Sequence, residues 1–142
     1  MILEFPHFHC NPSLIPSMID KIINLNSDDY PEIDAEGTKI WRNKIGQLHR
    51  ENGPAIIWSD GQKEYCLNDL LHREDGPAVI HPSGIVEYWV NGERHRTDGP
   101  AVIDPRGFEE YCQNNKWHRL DGPAIIRPNG KEEYWEYGER IK

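Results

Sequence analysis

Four copies of Gly-Pro-Ala, each preceded by Asn or Asp, recur every 23 residues along this chain. They begin at Asn52, Asp75, Asp98 and Asp121. A fixed period of this length is the mark of a repeat architecture, in which one supersecondary unit is stacked on copies of itself. Other positions keep the same phase. His-Arg recurs at His49-Arg50, His72-Arg73, His95-Arg96 and His118-Arg119. Glu-Tyr recurs at Glu64-Tyr65, Glu87-Tyr88, Glu110-Tyr111 and Glu133-Tyr134, and a lone glycine at Gly61, Gly84, Gly107 and Gly130. No insertion breaks the period between Leu48 and Gly138.

One unit reads as two short strands. Pro77-Ala78-Val79-Ile80 is apolar and partly β-branched, and His81-Pro82-Ser83-Gly84 supplies turn residues. Ile85 to Val90 is a second run rich in β-formers. Asn91-Gly92 follows, the dipeptide suited to a type I′ turn because both central residues need positive φ. The equivalent dipeptides are Asn68-Asp69, Asn114-Asn115 and Tyr137-Gly138, and all but the last keep residues that tolerate that geometry. Period-3.6 patterning is absent here. Tandem hairpins with two strands per unit advance by roughly 10 Å per repeat. The expected fold is therefore mostly β: an elongated, single-layer antiparallel sheet of 23-residue hairpin repeats. Alternation sorts its faces. The Ala, Ile and Tyr columns are expected to form the packed face. The other face carries Glu64, Glu87, Glu110 and Glu133, alternating with Cys66, Trp89, Cys112 and Trp135.

The run Glu-Tyr-Trp-Val-Asn-Gly-Glu-Arg-His, followed by a short strand and further glycines, resembles the MORN repeat over about residues 37–142. This chain has His-Arg-x-Asp-Gly-Pro-Ala where that family usually has His-Gly-x-Gly. It is thus similar to a divergent MORN-type variant of the kind found in bacteria, phages and large DNA viruses. The resemblance implies a hairpin array that binds proteins, sometimes itself and sometimes lipids. Some bacterial relatives of this type are described as toxin-neutralising.

The N-terminal quarter differs. Ile15, Met18, Ile19, Ile22 and Ile23 follow a helical spacing, with Pro16 suited to a first turn, so a short helix is expected over about residues 14–25. Its apolar face would cap the first repeat, or dock on a second copy or a target. Residues 26–36 read as an acidic linker, which divides the chain into 1–36 and 37–142. Trp41 to Gly46 reads as a degenerate half-repeat whose aromatic has slipped by about one residue.

Charge narrows the choice of partner. The net charge is −8, and residues 1–36 hold one Lys against seven acids. The acidic balance argues against nucleic acid and anionic membrane, both of which demand a basic footprint. No apolar run approaches the ~18 residues of a membrane helix, and the N-terminus does not read as a signal peptide. The three cysteines are Cys10, Cys66 and Cys112. Cys66 and Cys112, two units apart, would lie roughly 20 Å from each other, so free thiols and a cytoplasmic setting are expected (the host cytoplasm for a viral chain).

No catalytic, metal or cofactor site is expected. Four histidines at roughly 10 Å steps are too far apart to share a zinc ion, and read instead as turn histidines bonded to backbone. The same step exceeds both carboxylate spacings of glycosidases. Asp-Gly-Pro-Ala lacks the amide a phosphate cradle needs at its proline, and reads as Asx-turn chemistry with Gly for its dihedral freedom. Arg50, Arg73, Arg96 and Arg119 either pair with a carboxylate in each unit or form a His-Arg edge that holds phosphate, which would make the chain a nucleotide or small-ligand binder. Specificity would sit where the frame varies: Trp58/His81/Asp104/Arg127 and Leu71/Arg94/Trp117/Arg140. Trp58, Trp89, Trp117 and Trp135 are the expected anchors for a protein partner. A homodimer would cover the exposed face and edge of such a sheet.

Overall fold

The computed structural model describes residues 30–142. These residues form short antiparallel hairpins and turns, with no helix among them. The expected helix over about residues 14–25 lies outside the described residues.

Ten strands join in one sheet, entering as five hairpins. These pair Glu32–Ile33 with Lys39–Ile40, Ile56–Ile57 with Lys63–Glu64, and Val79–Ile80 with Val86–Glu87. Val102–Asp104 then pairs with Phe108–Glu110, and Ile125–Ile126 with Glu132–Glu133. Each full unit also makes a second, two-residue hairpin outside that sheet. These are Cys66–Leu67 with Leu70–Leu71, Trp89–Val90 with Glu93–Arg94, Cys112–Gln113 with Lys116–Trp117, and Trp135–Glu136 with Glu139–Arg140. A unit therefore holds four strands, where the sequence reads as two.

The difference lies at the tyrosine. The run Ile85 to Val90 does not stay one strand but breaks at Tyr88. The Tyr88 N–H donates to the Ala101 carbonyl at 2.7 Å, and its own carbonyl accepts from His95 at 3.1 Å. One residue thus passes the chain from the large sheet to the second hairpin. Successive second hairpins are tied together by Gly92 donating to Leu71 O, Asn115 to Arg94 O and Gly138 to Trp117 O, at 2.9–3.0 Å.

Turn chemistry explains the punctuation. First hairpins close on a left-handed glycine, as at Gly84 (φ 89°), whose N–H returns to the His81 carbonyl at 3.0 Å. The second hairpins turn through two positive-φ residues: Asn68-Asp69 at 51° and 67°, Asn91-Gly92 at 50° and 77°, Asn114-Asn115 at 50° and 60°. Tyr137 adopts the same geometry at 49° despite its side chain. Its ring stacks on His118 at 4.1 Å between centroids, which helps hold that conformation.

The repeat also reaches further back than its motif. Glu32–Ile33 and Lys39–Ile40 form a first hairpin of the large sheet, so the sheet begins inside the stretch read as an acidic linker. The bridge Arg42↔Leu48 encloses one residue more than the equivalent Cys66↔Leu71. The one-residue slip of the aromatic is absorbed in that loop. There Asn43 Oδ1 accepts from the N–H groups of Ile45 and Gln47.

Packing departs from the expected choice of face. Ala55, Ala78, Ala101 and Ala124 are fully buried, as the first reading requires. The Ile57, Ile80, Ile103 and Ile126 column is only half-buried, however. The tighter packing is on the glutamate face, at Ile56, Val79, Val102, Ile125, Cys66 and Cys112. Register gives the reason. Val79 stands directly between Glu64 and Glu87, Val102 between Glu87 and Glu110, and Ile125 between Glu110 and Glu133. Directly opposed side chains on one face lie within contact distance, so glutamate stems flank Val79, Val102 and Ile125 on both sides and Ile56 on one.

An alanine with no exposed surface leaves no room for a longer side chain. Ala101→Leu should cost about 1–3 kcal/mol, read from a denaturant melt; a loss below the ~0.5 kcal/mol typical of surface changes would contradict this packing.

Candidate functional site

The arginine column occupies the same position in every unit. Arg73, Arg96 and Arg119 each lay their guanidinium over the tyrosine of the preceding hairpin, Tyr65, Tyr88 and Tyr111, at 4.0 Å from the ring centroid. Nε donates to the aspartate two residues on: Asp75 at 2.7 Å, Asp98 at 2.8 Å and Asp121 at 2.9 Å. Nη1 donates to the carbonyls of Pro77, Pro100 and Pro123, each at 3.2 Å. The guanidinium's other side faces glycine. A Cβ on Gly76 or Gly99 would stand 3.0 Å from the arginine Cζ, and on Gly122 2.9 Å. None of the three has positive φ. Close approach, not dihedral freedom, requires glycine here, and the aspartate serves as the arginine's acceptor. Hydrogen bonding to arginine, reinforced by its charge, lowers the Asp75, Asp98 and Asp121 carboxyls below their ordinary 3.8. The stabilisation this represents is complete above that value and is lost as pH falls through the lowered one.

The first unit is a variant of this arrangement. Arg50 lies 4.0 Å over Trp41 and donates to Pro54 O at 3.3 Å. Asn52 replaces the aspartate, and the buried Arg50 Nε has no hydrogen-bond partner. Three open clefts alternate with the arginine stacks on this side, of about 550, 480 and 490 Å³. Arg50, Tyr65, His72 and Arg73 contribute to the first. At Arg73, Arg96 and Arg119 the committed Nε and Nη1 donors and adjoining carboxylates make a poor edge for capturing phosphate.

The histidines accept backbone hydrogen bonds. Nδ1 of His49, His72 and His118 takes the N–H of Asn68, Asn91 and Tyr137, at 3.1–3.2 Å, while Nδ1 of His95 meets both the backbone N of Asn114, at 3.3 Å, and its Oδ1, at 2.9 Å. Each ring thereby supports the first left-handed residue of the next turn. Among the described residues, no three His, Cys, Asp or Glu side chains come close enough to hold a metal ion.

The opposite face gathers the glutamates and tryptophans. Partly buried carboxylates need donors, and each unit finds them differently. Glu64 Oε1 accepts from Trp58 Nε1 at 2.9 Å and Gln62 at 2.8 Å. Glu87 meets His81 Nε2 at 3.2 Å and accepts from Trp89 Nε1 at 3.0 Å. Arg94 bridges Glu87 and Glu110, at 3.3 Å to each. Arg127 holds Glu133 at 2.7 Å and is the chief reason that carboxyl is lowered. The column Trp58/His81/Asp104/Arg127 thus varies in residue type while three of its four members face a glutamate. Asp104 cannot donate and pairs with Arg106 instead, leaving Glu110 to Arg94.

The four tryptophans meet this row. Trp58 is 42% exposed. Trp89 is half-buried, with Arg94 5.2 Å above its ring. Trp117 and Trp135, also half-buried, pack ring against ring at a 60° tilt with centroids 4.7 Å apart. Trp117 pairs across its hairpin with the small Cys112, while Trp89 and Trp135 pair with arginines. Cys66 and Cys112 are free and buried. Burial, then the nearby Glu64 and Glu110, pushes their thiols up to about 11 and about 12, which makes them poor nucleophiles.

No family model matches the chain, and no curated protein matches it.

Restoring the missing acid tests the arginine geometry. Asn52→Asp should stabilise the fold by about 0.5–1 kcal/mol by giving Arg50 Nε an acceptor, measured by thermal melting. No gain, or a loss, would show that Arg50 does not sit as its three counterparts do.

Proposed function

We propose that this chain is a non-catalytic protein-binding module. It is a divergent MORN-like array of tandem hairpins, with the expected helix over about residues 14–25 serving as its cap. The observation that supports this most is the collection of Trp58, Trp89, Trp117 and Trp135 along one glutamate-lined face. Trp58 and Trp89 are held there by hydrogen bonds to Glu64 and Glu87, and Trp117 and Trp135 by their tilted ring contact. Aromatics held rigid before contact lose little entropy on binding and are the usual anchors of protein interfaces. Neutralising a toxin or a host-defence protein is one form such binding would take, carried out in the cytoplasm of the producing or infected cell. The arginine column serves the scaffold in this reading, so no nucleotide is expected to accompany the protein.

Affinity capture from an extract of the native host, repeated with Trp58→Ala, tests the assignment. Trp58 is exposed and Gln62 still donates to Glu64 without it, so the variant should fold like the parent with only a small loss of stability. It should bind the captured partner at least about tenfold more weakly, the loss typical of a hot-spot residue. Equal capture by both proteins, or a nucleotide retained in the native mass spectrum, would overturn it.

A further inference from the structure

The face opposite the tryptophans carries a file of side chains that the binding reading does not use. Register places one residue from each of the ten strands in a single row across the sheet. Alternate strands contribute Ile33, Ile57, Ile80, Ile103 and Ile126. The strands between them contribute Lys39, Lys63, Val86, Glu109 and Glu132. The isoleucine column is uniform; the other runs Lys, Lys, Val, Glu, Glu. Ile33 is 63% exposed, and Ile57, Ile80, Val86, Ile103 and Ile126 are half-buried. Lys39 and Lys63 are exposed. None of the four charged residues forms an ion pair among the described residues. The carboxylates of Glu109 and Glu132 meet only the hydroxyls of Tyr111, at 3.2 Å, and Tyr134, at 2.9 Å.

This order of charges is its own complement when reversed. We infer that the row is a homodimer interface, formed when a second copy of this chain lies face to face and antiparallel along the array. The two-fold axis runs parallel to the strands through Val86. Rotation about it sets Lys63 against Glu109 of the second copy and Lys39 against Glu132. It also sets Ile57 against Ile126 and Ile80 against Ile103, while Val86 meets itself. Only Ile33 is left over. The contact is isologous, so every pair occurs twice. Stacking unit upon like unit would instead place lysine on lysine and glutamate on glutamate, which the charges oppose. The row spans roughly 43 Å at roughly 4.8 Å per strand step, and two equally twisted sheets pack aligned at about 10 Å. The tryptophan face stays open in this dimer, so the two proposals stand or fall separately.

Sedimentation equilibrium of the full-length protein across the micromolar range tests it, with circular dichroism confirming the fold of each variant. The parent should be a dimer. Lys63→Glu or Glu109→Lys alone should weaken association roughly a hundredfold, because each reversal acts at two symmetric points. The double variant Lys63→Glu/Glu109→Lys should dimerise like the parent. An equimolar mixture of the two single variants should also dimerise, since each then meets its complement. A monomeric parent would overturn the inference, as would single variants that dimerise normally or a double variant that fails to recover.

Discussion

A guanidinium set over the aromatic ring of the preceding hairpin is the contact on which this array depends. The strands are two or three residues long, and isolated hairpins of that size have little stability of their own. Arg73, Arg96 and Arg119 tie each hairpin to the next through one ring face, one aspartate and one proline carbonyl. Most of the repeated motif follows from that arrangement. Glycine is small because the guanidinium rests on it, aspartate accepts from Nε, and proline offers a carbonyl without a competing N–H. At the ends the pattern loosens, with Trp41 in place of tyrosine beneath Arg50 and Lys142 5.1 Å from the Tyr134 ring.

The other face solves a different problem. Each glutamate of the row stands beside a buried aliphatic residue, where an unpaired charge would be costly. The donors that relieve it come from side chains at changing positions and of changing chemistry: an indole, an imidazole, a guanidinium. Sequence variation at these sites has kept a hydrogen-bond donor opposite Glu64, Glu87 and Glu133. The same requirement leaves aromatic rings fixed along a charged face, which is the basis for assigning that face to a partner.

Much of the architecture was legible because its signals are local. The Asn-Gly, Asn-Asp and Asn-Asn turns demand left-handed backbone wherever they occur, and the glycine at Gly84 and its equivalents closes the first hairpin in the same way. What depended on tertiary contact was not readable. No propensity marks Tyr88 as the point where one strand becomes two, since its hydrogen bonds go to Ala101 and His95, distant in sequence from the run that breaks. The first hairpin, Glu32 to Ile40, lacks the Glu-Tyr and Gly-Pro-Ala of its successors and keeps only their Ile-x-x-x-Gly turn, at Ile33 to Gly37. The choice of packed face failed for a related reason: alternation separates the faces without saying which of them glutamate stems flank. The Arg–Asp pairing was foreseen as one of two alternatives, whereas the role of Arg94 in joining two glutamates of different units was not, because nothing in the period singles it out.

The stacked arginine is tested most directly by a double-mutant cycle at one junction. Stabilities of the parent, Tyr88→Leu, Arg96→Met and the double variant give the coupling between ring and guanidinium free of their separate contributions. A partly desolvated cation over a ring predicts a favourable coupling of about 1 kcal/mol. Strict additivity, within about 0.3 kcal/mol, would mean that the two side chains do not hold the units together and would contradict the account.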